Sequence, residues 1–327
     1  FNLTEDDALQ LTHTLFDIYD EPFADSSQMP TALLCREARK RVTVALTGDG
    51  GDEVFGGYNR HISGPGLWRS INKMPHWARR SGAGITKVVE PFLVAEDSRV
   101  RGLARRLGLP ITAIDKLARF APGFVHARNF EDFYRIFVTT FTDPNQVLSK
   151  YTDDRGSLPD LSPLTDTLSL AERMMAWDML SYLPGDILVK VDRAAMYSSL
   201  ETRAPFLNPG VIQTAWALPP EMKVRGGQGK YVLRRLLDRH VPRGLIDRPK
   251  QGFSIPIDSW LRGELRSWAL GLLRREDLVE LAGLNLLTIE NLWDDHQKGR
   301  SNHGQKLWTI FMLLDWLDNN CEFLVPD

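Results

Sequence analysis

The residues best equipped for chemistry lie between Thr47 and Tyr58, in the order Thr-Gly-Asp-Gly-Gly-Asp-Glu-Val-Phe-Gly-Gly-Tyr. Asp49, Asp52 and Glu53 gather carboxylates around Gly48, Gly50 and Gly51, glycines that let the backbone turn sharply and approach a ligand. Loops that cradle an anion by backbone N–H groups alone do not usually carry three acids, so these carboxylates require a divalent cation or a cationic substrate group. A magnesium-assisted nucleotide site meets that requirement. An exposed acidic turn between a strand and a helix accounts for the same spacing. The stretch has neither the Gly-Lys-Ser/Thr ending of a Walker loop nor the Rossmann glycine spacing.

Other candidates stand further along. In Arg248-Pro249-Lys250-Gln251-Gly252-Phe253, proline fixes the backbone before Lys250 and glycine frees it afterwards, which aims one long cation from a constrained loop. Glu201 and Arg203, beside Ala204-Pro205, form either a group-orienting pair or a buried ion pair that locks two helices. Lys230 ends the run Gly226-Gly227-Gln228-Gly229 and opens a basic amphipathic helix from Tyr231 to Leu237. That helix is structural, or Lys230 reaches a phosphate. Glu21 and Asp25 are solvated turn acids or part of a pocket.

The elements that must position these groups begin with Val42 to Leu46, a β-branched and apolar run suited to a strand buried on both faces of a parallel sheet. The acidic turn then sits at the carboxyl end of that strand, where open α/β sheets bind ligands. Thr4 caps a first helix with acids in its first turn, and Leu11, Leu15 and Ile18 mark its buried stripe. Ser26 or Ser27 caps a second helix running to Arg39-Lys40-Arg41. The loop from Asp20 to Gln28 is expected near the strand end.

After Tyr58, Gly64-Pro65-Gly66 marks a loop, and residues 67–153 read as a helical insertion. Its basic run, Arg99, Arg101, Arg105 and Arg106, reads as a solvated face. Phe130, Phe133, Tyr134 and Phe137 have the spacing of a packed helix face. A linker is expected from Asp153 to Pro163. One helix then runs from Leu168 and stops at Pro184-Gly185, and another covers Ile187 to Tyr197. Within it Asp192 and Arg193, being adjacent, point apart and need separate partners. Trp260, Trp268, Trp293, Trp308 and Trp316 belong to amphipathic helices that close a bundle.

With 327 residues, 43% hydrophobic and 25% charged, the composition is that of an ordinary globular chain of roughly two packed units. Lys+Arg 40 against Asp+Glu 42 gives a net charge of -2, which argues against a dedicated nucleic-acid surface or an anionic-membrane binder. No apolar run reaches the length of a membrane span. Cys35 and Cys321 offer no metal spacing and no disulfide framework, so the cytoplasm is the expected compartment.

The segment Thr47 to Tyr58 closely resembles the second nucleotide-site motif of the glutamine-dependent asparagine synthetases. Leu200-Glu201-Thr202-Arg203-Ala204-Pro205-Phe206-Leu207 and Arg248 to Phe253 resemble two further motifs of that family, in the same order. The resemblance covers about Asp20 to Leu261. It implies a predominantly helical α/β fold, an incomplete parallel sheet of the PP-loop ATPase kind (adenine-nucleotide α-hydrolase-like) with a helical C-terminal bundle. Residues 1–60 would be the C-terminal part of the nucleotide-binding core, 61–160 a helical insertion, and 161–327 the helical C-terminal part.

The implied reaction is ATP-dependent amidation of aspartate to asparagine through β-aspartyl-AMP. Lys250, Asp49 and Glu201 would be catalytic, and Thr47, Gly48, Asp52 and Lys230 would bind ATP, with Asp52 also holding Mg²⁺. Ammonia would come from glutamine through an upstream glutaminase domain. The family's Ser-Gly-Gly-x-Asp-Ser loop and N-terminal cysteine are absent from these residues, so this polypeptide is expected to be the carboxyl part of a synthetase, inactive alone and compatible with a homodimer. The alternatives are a related amidotransferase or β-lactam-forming synthetase acting on another carboxylate, or a non-catalytic fragment.

Overall fold

The structure, a computed structural model, describes residues 4–74, 127–141, 143–150, 158–246 and 255–320. Two compact units divide the chain. One comprises Phe1–Asp20, Asp25–Leu67 and Gly156–Ile255; the other comprises Glu21–Ala24, Trp68–Arg155 and Pro256–Asp327.

The first unit opens with α1, Glu5–Leu11, whose N-cap Thr4 and N3 residue Asp7 exchange backbone N–H bonds in a capping box. That reciprocal pairing satisfies two otherwise orphaned donors and stabilises the helix end by about 1 kcal/mol. A 3-10 turn, Thr12–Thr14, leads to the short α2, Leu15–Ile18. The next helix, α3, spans Gln28–Arg39. Its N-cap is Ser27, but the side-chain bonds come from Asp25, whose carboxylate accepts the Ser27 N–H at 2.8 Å and its hydroxyl at 2.9 Å.

β1, Val44–Leu46, pairs in parallel with β2, Glu201–Arg203, in the register Val44↔Glu201, Ala45↔Thr202 and Leu46↔Arg203. The expectation of a doubly buried strand from Val42 is corrected here, because Val44 is 41% and Leu46 75% exposed. Among the described residues the sheet has two strands, too few to surround β1 as parallel strands usually are.

The turn after β1 feeds α4, Gly51–Phe55, whose Val54 and Phe55 are buried against Ala215, Phe206, Val211 and Val232. The next helix, α5, runs without a break over Asn59–Asn72, through the Gly64-Pro65-Gly66 segment expected to be a loop. His61, Gly64, Pro65 and Trp68 are all buried, an i, i+3, i+4, i+7 stripe. Packing along that stripe outweighs the poor helix propensity of the Gly-Pro-Gly run.

A second correction concerns the stop expected at Pro184-Gly185. Helix α6, Leu170–Trp177, continues as a π-helical segment, Asp178–Ile187, and then as α7, Leu188–Tyr197. Proline lacks the N–H that an α-helix would use, and the wider π turn carries the chain past it. Ser181 reinforces the passage by donating its hydroxyl to the Trp177 carbonyl at 2.6 Å. The unit continues with α8, Pro209–Ala217, α9, Pro220–Lys223, and α10, Tyr231–Leu237.

In the second unit, helix Phe130–Val138 is capped by Asn129 and buries Phe130, Phe133 and Tyr134, as their spacing predicts. Trp68 lies against this face, with ring centroids 5.9 Å from Phe130 and 5.4 Å from Phe133. The terminal helices pack around Gly304–Asn320, whose Leu307, Trp308, Phe311 and Leu314 are fully buried. Trp268 donates to Asp315 at 3.0 Å and packs on Trp308 and Phe311, so the expected aromatic bundle is present. The arginine run 99–106, the linker residues 153–157, Lys250 with its motif, and Cys321 lie outside the described residues.

Candidate active site around the acidic turn

β1 delivers the chain to the glycine-rich turn. Thr47 extends the strand pairing by donating its N–H to the Arg203 carbonyl at 2.8 Å, and the chain then reverses through Gly48 to Gly50. Gly50 has φ +83, a left-handed backbone that favours glycine, and an added Cβ would overlap Leu207. Phe206 lies beneath Gly51 and packs edge-on to Phe55, with centroids 5.8 Å apart. The Leu200–Leu207 segment therefore forms the floor of the acidic turn.

Lys230 arrives from a third direction. Its backbone is left-handed, with φ 54, its N–H donates to the Phe55 carbonyl at 3.1 Å, and its Nζ stands 2.9 Å from Asp52 Oδ2. Gly57 makes room for this pair, since a Cβ there would overlap both the Asp52 carboxylate and Lys230 Cε. Asp49 is half-buried on the same turn, and after burial itself its charge is what raises the Cys35 thiol. Helix α3, which carries Cys35, therefore passes beside the turn.

Glu201 is placed differently. It pairs in register with Val44, three residues before Thr47 and about 10 Å back along the strand. Its carboxylate accepts from Arg203 Nε at 2.8 Å, with the two side chains 55% and 66% exposed. Glu201 and Arg203 are thus an exposed same-face pair on a strand, and not a buried lock between helices.

Among the described residues no three His, Cys, Asp or Glu side chains are grouped to hold a metal ion. Mg²⁺ at a nucleotide commonly takes one or two carboxylates and completes its shell with phosphate oxygens and water. Asp52 fits that pattern as a single protein ligand, and the Lys230 ammonium beside it fits a phosphate.

Behind the turn lies a buried polar network. Glu53 is 1% exposed, and its Oε1 accepts the Tyr58 hydroxyl at 2.7 Å; burial, only partly offset by that bond, raises its carboxyl. The Arg60 guanidinium lies 4.0 Å from the Tyr58 ring centroid and 4.9 Å from that of Tyr182. It also grips Asp178 with two bonds of 2.8 Å. His61 Nε2 meets the same carboxylate at 2.5 Å, and burial lowers the imidazole, so His61 is neutral at pH 7. Burial alone would raise Asp178, but the His61 and Arg60 bonds outweigh it and hold the carboxyl low.

Asp20 and Asp25 are both bound to α7. Arg193 Nε meets Asp20 Oδ2 at 2.8 Å, and the Lys190 ammonium contacts Asp25 Oδ2 directly. Asp25 is accordingly a partnered, mostly buried acid and not a solvated one. Contrary to the expectation that adjacent side chains point apart, Arg193 also reaches its neighbour Asp192 at 3.1 Å, because the length of the arginine side chain closes the gap.

A family model described as asparagine synthase matches residues 1–318. The chain belongs to the asparagine synthase family. It is 35% identical to a Mycobacterium bovis protein provisionally named asparagine synthetase (glutamine-hydrolysing), over 91% of this chain and 42% of that protein. It is 29% identical to asparagine synthetase (glutamine-hydrolysing) 1 of Bacillus subtilis, over 93% of this chain and 45% of that one. The chain therefore spans less than half the length of these relatives.

In this chain, sequence reasoning missed Arg60, His61, Asp178, Asp186 and Lys190. Arg60 and His61 stand two and three residues after the Gly-Gly-Tyr of the motif, and Asp186 and Lys190 are one helical turn apart, so a signal was present for both groups. Their partners are distant in sequence, and only the fold supplies them.

Proposed function

We propose that the full protein containing this chain activates the side-chain carboxylate of aspartate with ATP, through β-aspartyl-AMP, and that ammonia derived from glutamine converts it to asparagine. The observation that carries this reading is the meeting of Asp52 and Lys230, 2.9 Å apart, on the glycine-rich turn at the carboxyl end of β1. A carboxylate for a metal and an ammonium for a phosphate stand together where an α/β sheet receives its ligand. Family membership supports the choice of substrates.

In this reading Thr47 and Gly48 contact the nucleotide, and the space in front of Gly48, where an added Cβ would meet nothing, admits it. Asp52 would hold Mg²⁺, whose chemistry there would be to offset the negative charge of the phosphates. Lys230 binds a phosphate when nucleotide is present. Lys250 stabilises charge on the departing diphosphate, a contribution of about 3 kcal/mol in a water-excluded site. Asp49 takes a proton from the attacking ammonia, and Glu201, given its distance from the turn, orients substrate at most indirectly. An upstream glutaminase domain, a cytoplasmic location and the three-part division at residues 60 and 160 belong to the same proposal.

The test is aspartate-dependent exchange of pyrophosphate into ATP by the full-length protein. Wild type is expected to exchange only with aspartate and Mg²⁺ present, and Lys250→Ala to lose more than about a hundredfold in rate while remaining folded. Exchange that responds to another carboxylic acid and ignores aspartate would overturn the choice of substrate. A Lys250→Ala variant with wild-type exchange would remove that residue from the mechanism.

A further inference from the structure

Asp25, Asp186 and Lys190 form a cluster that the reaction above leaves without a task. Lys190 is 7% exposed; its ammonium contacts Asp25 directly and lies 3.7 Å from Asp186 Oδ1, an atom that is buried without a hydrogen-bond partner. Burial and then the neighbouring Asp25 push the Asp186 carboxyl up to about 7. Burial also opposes the charge on Asp25, but Lys190 outweighs it and holds that carboxyl low. Tyr182, from the π segment, and Tyr19, from the end of α2, face the same place, and both hydroxyls are raised by burial and by the two acids. The cluster thus holds two carboxyls, one ammonium and two neutral phenols. A single ammonium balances a single carboxylate, and the other carboxyl keeps a proton that the pair shares.

The geometry links this cluster to the acidic turn. Asp20 and Asp25 bracket a short segment, and Arg193 and Lys190 of α7 bind its two ends. From Asp25 the chain enters α3, which passes beside Asp49. Tyr182 connects the cluster to the other side of the turn, with its ring 5.8 Å from that of Tyr58, whose hydroxyl bonds Glu53.

We propose that Asp186 is a positioning residue for the acid substrate: by sharing one proton with Asp25 beside Lys190 it fixes Asp25 on α7, and loss of that proton loosens the clasp and weakens substrate binding. The proposal deepens the reading above and rests on it for the identity of the substrate. When the proton leaves for solvent, two buried carboxylates face one ammonium, and their repulsion is relieved by separating Asp25 from the π segment.

Two variants of the full-length protein test this. Asp186→Asn supplies an amide donor to Asp25 at every pH, whereas Asp186→Ala removes it. In the exchange assay the wild-type KM for aspartate is expected to rise about tenfold per pH unit above the pair's titration, to about tenfold or more by pH 8.5. For Asp186→Asn it should stay flat, and for Asp186→Ala it should be high throughout, with kcat and the KM for ATP within about twofold. Thermal unfolding of the same full-length proteins gives a second readout that needs no activity. Because the folded state binds the proton more tightly, wild type should lose thermal stability relative to Asp186→Asn as pH rises from 5 to 8.

An Asp186→Asn variant that keeps the wild-type rise in KM overturns the positioning role. A stability difference that ignores pH overturns the shared proton. Should wild type catalyse no exchange at all, the substrate reading fails, and the unfolding comparison still decides whether the pair holds its proton.

Discussion

Lys230 holds its ammonium on Asp52 at the expense of a left-handed backbone, φ 54, a conformation that strains a residue with a Cβ by about 1 kcal/mol. Lys230→Ala removes the ion pair and keeps the strain, whereas Lys230→Gly removes both. The glycine variant should therefore be more stable than the alanine variant by about 1 kcal/mol in urea unfolding. Equal midpoints would mean that the backbone there is relaxed. Asp178 presents the opposite case, a fully buried carboxylate gripped by Arg60 and His61. Asp178→Asn leaves the guanidinium facing a neutral amide and should lower stability by about 3 kcal/mol or more. Glu201→Gln breaks a pair of similar length that is more than half exposed, and should change stability by no more than about 0.5 kcal/mol. If the two losses were similar, burial would not be what separates these pairs. The sequence marked Glu201 more strongly than Asp178, because a motif draws attention to residue type and burial is a property of the fold.

The π-helical segment Asp178–Ile187 carries Asp178, held by the distant Arg60, at its first residue, and Asp186 near its last lies one turn before Lys190, which holds the distant Asp25. Its register is therefore fixed at both ends. Removing one residue between them, for example Leu180, would rotate the second end about the helix axis relative to the first and draw it in. Such a deletion should separate Asp186 and Lys190 from Asp25, whereas Leu180→Ala, at an exposed position, should be tolerated. Hydrogen exchange over α3 and α7 distinguishes the two, and unchanged protection in the deletion variant would show that the register is free to slip. Pro184-Gly185 reads as a helix stop because local propensity has no means of expressing a π turn anchored by distant ion pairs. The same limit applied at Gly64-Pro65-Gly66, where a buried helical stripe prevailed. The cap at Thr4 and the aromatic face of Phe130–Val138 were legible because each depends on residues within a few turns of one another, and the tryptophan bundle because each of its helices carries its own apolar stripe. β1 was legible as a strand but not as an exposed one, since apolar composition does not say how many strands will surround it.

Across the whole chain, the two units carry buried groups that respond to pH in opposite directions. In the second unit, burial and then nearby Lys306 lower His303 from 6.5 to about 4. Its unfolded form binds more protons between those values, so the stability it contributes is complete above about pH 6.5 and is lost as pH falls towards 4. A shift of that size, discounted because His303 is only half-buried, is worth roughly 2 kcal/mol. In the first unit, Asp186 is raised to about 7, so the folded form binds the extra proton and gains stability as pH falls through 7 towards 4. Acidification from pH 7 to pH 5 should therefore weaken protection in Gly304–Asn320 while preserving or strengthening it in α3 and α7. Hydrogen exchange read separately on the two units at both pH values measures this, and His303→Gln should remove most of the acid loss from Gly304–Asn320 without altering α3. A uniform loss of protection in both units, insensitive to that substitution, would place the acid response in groups other than these two.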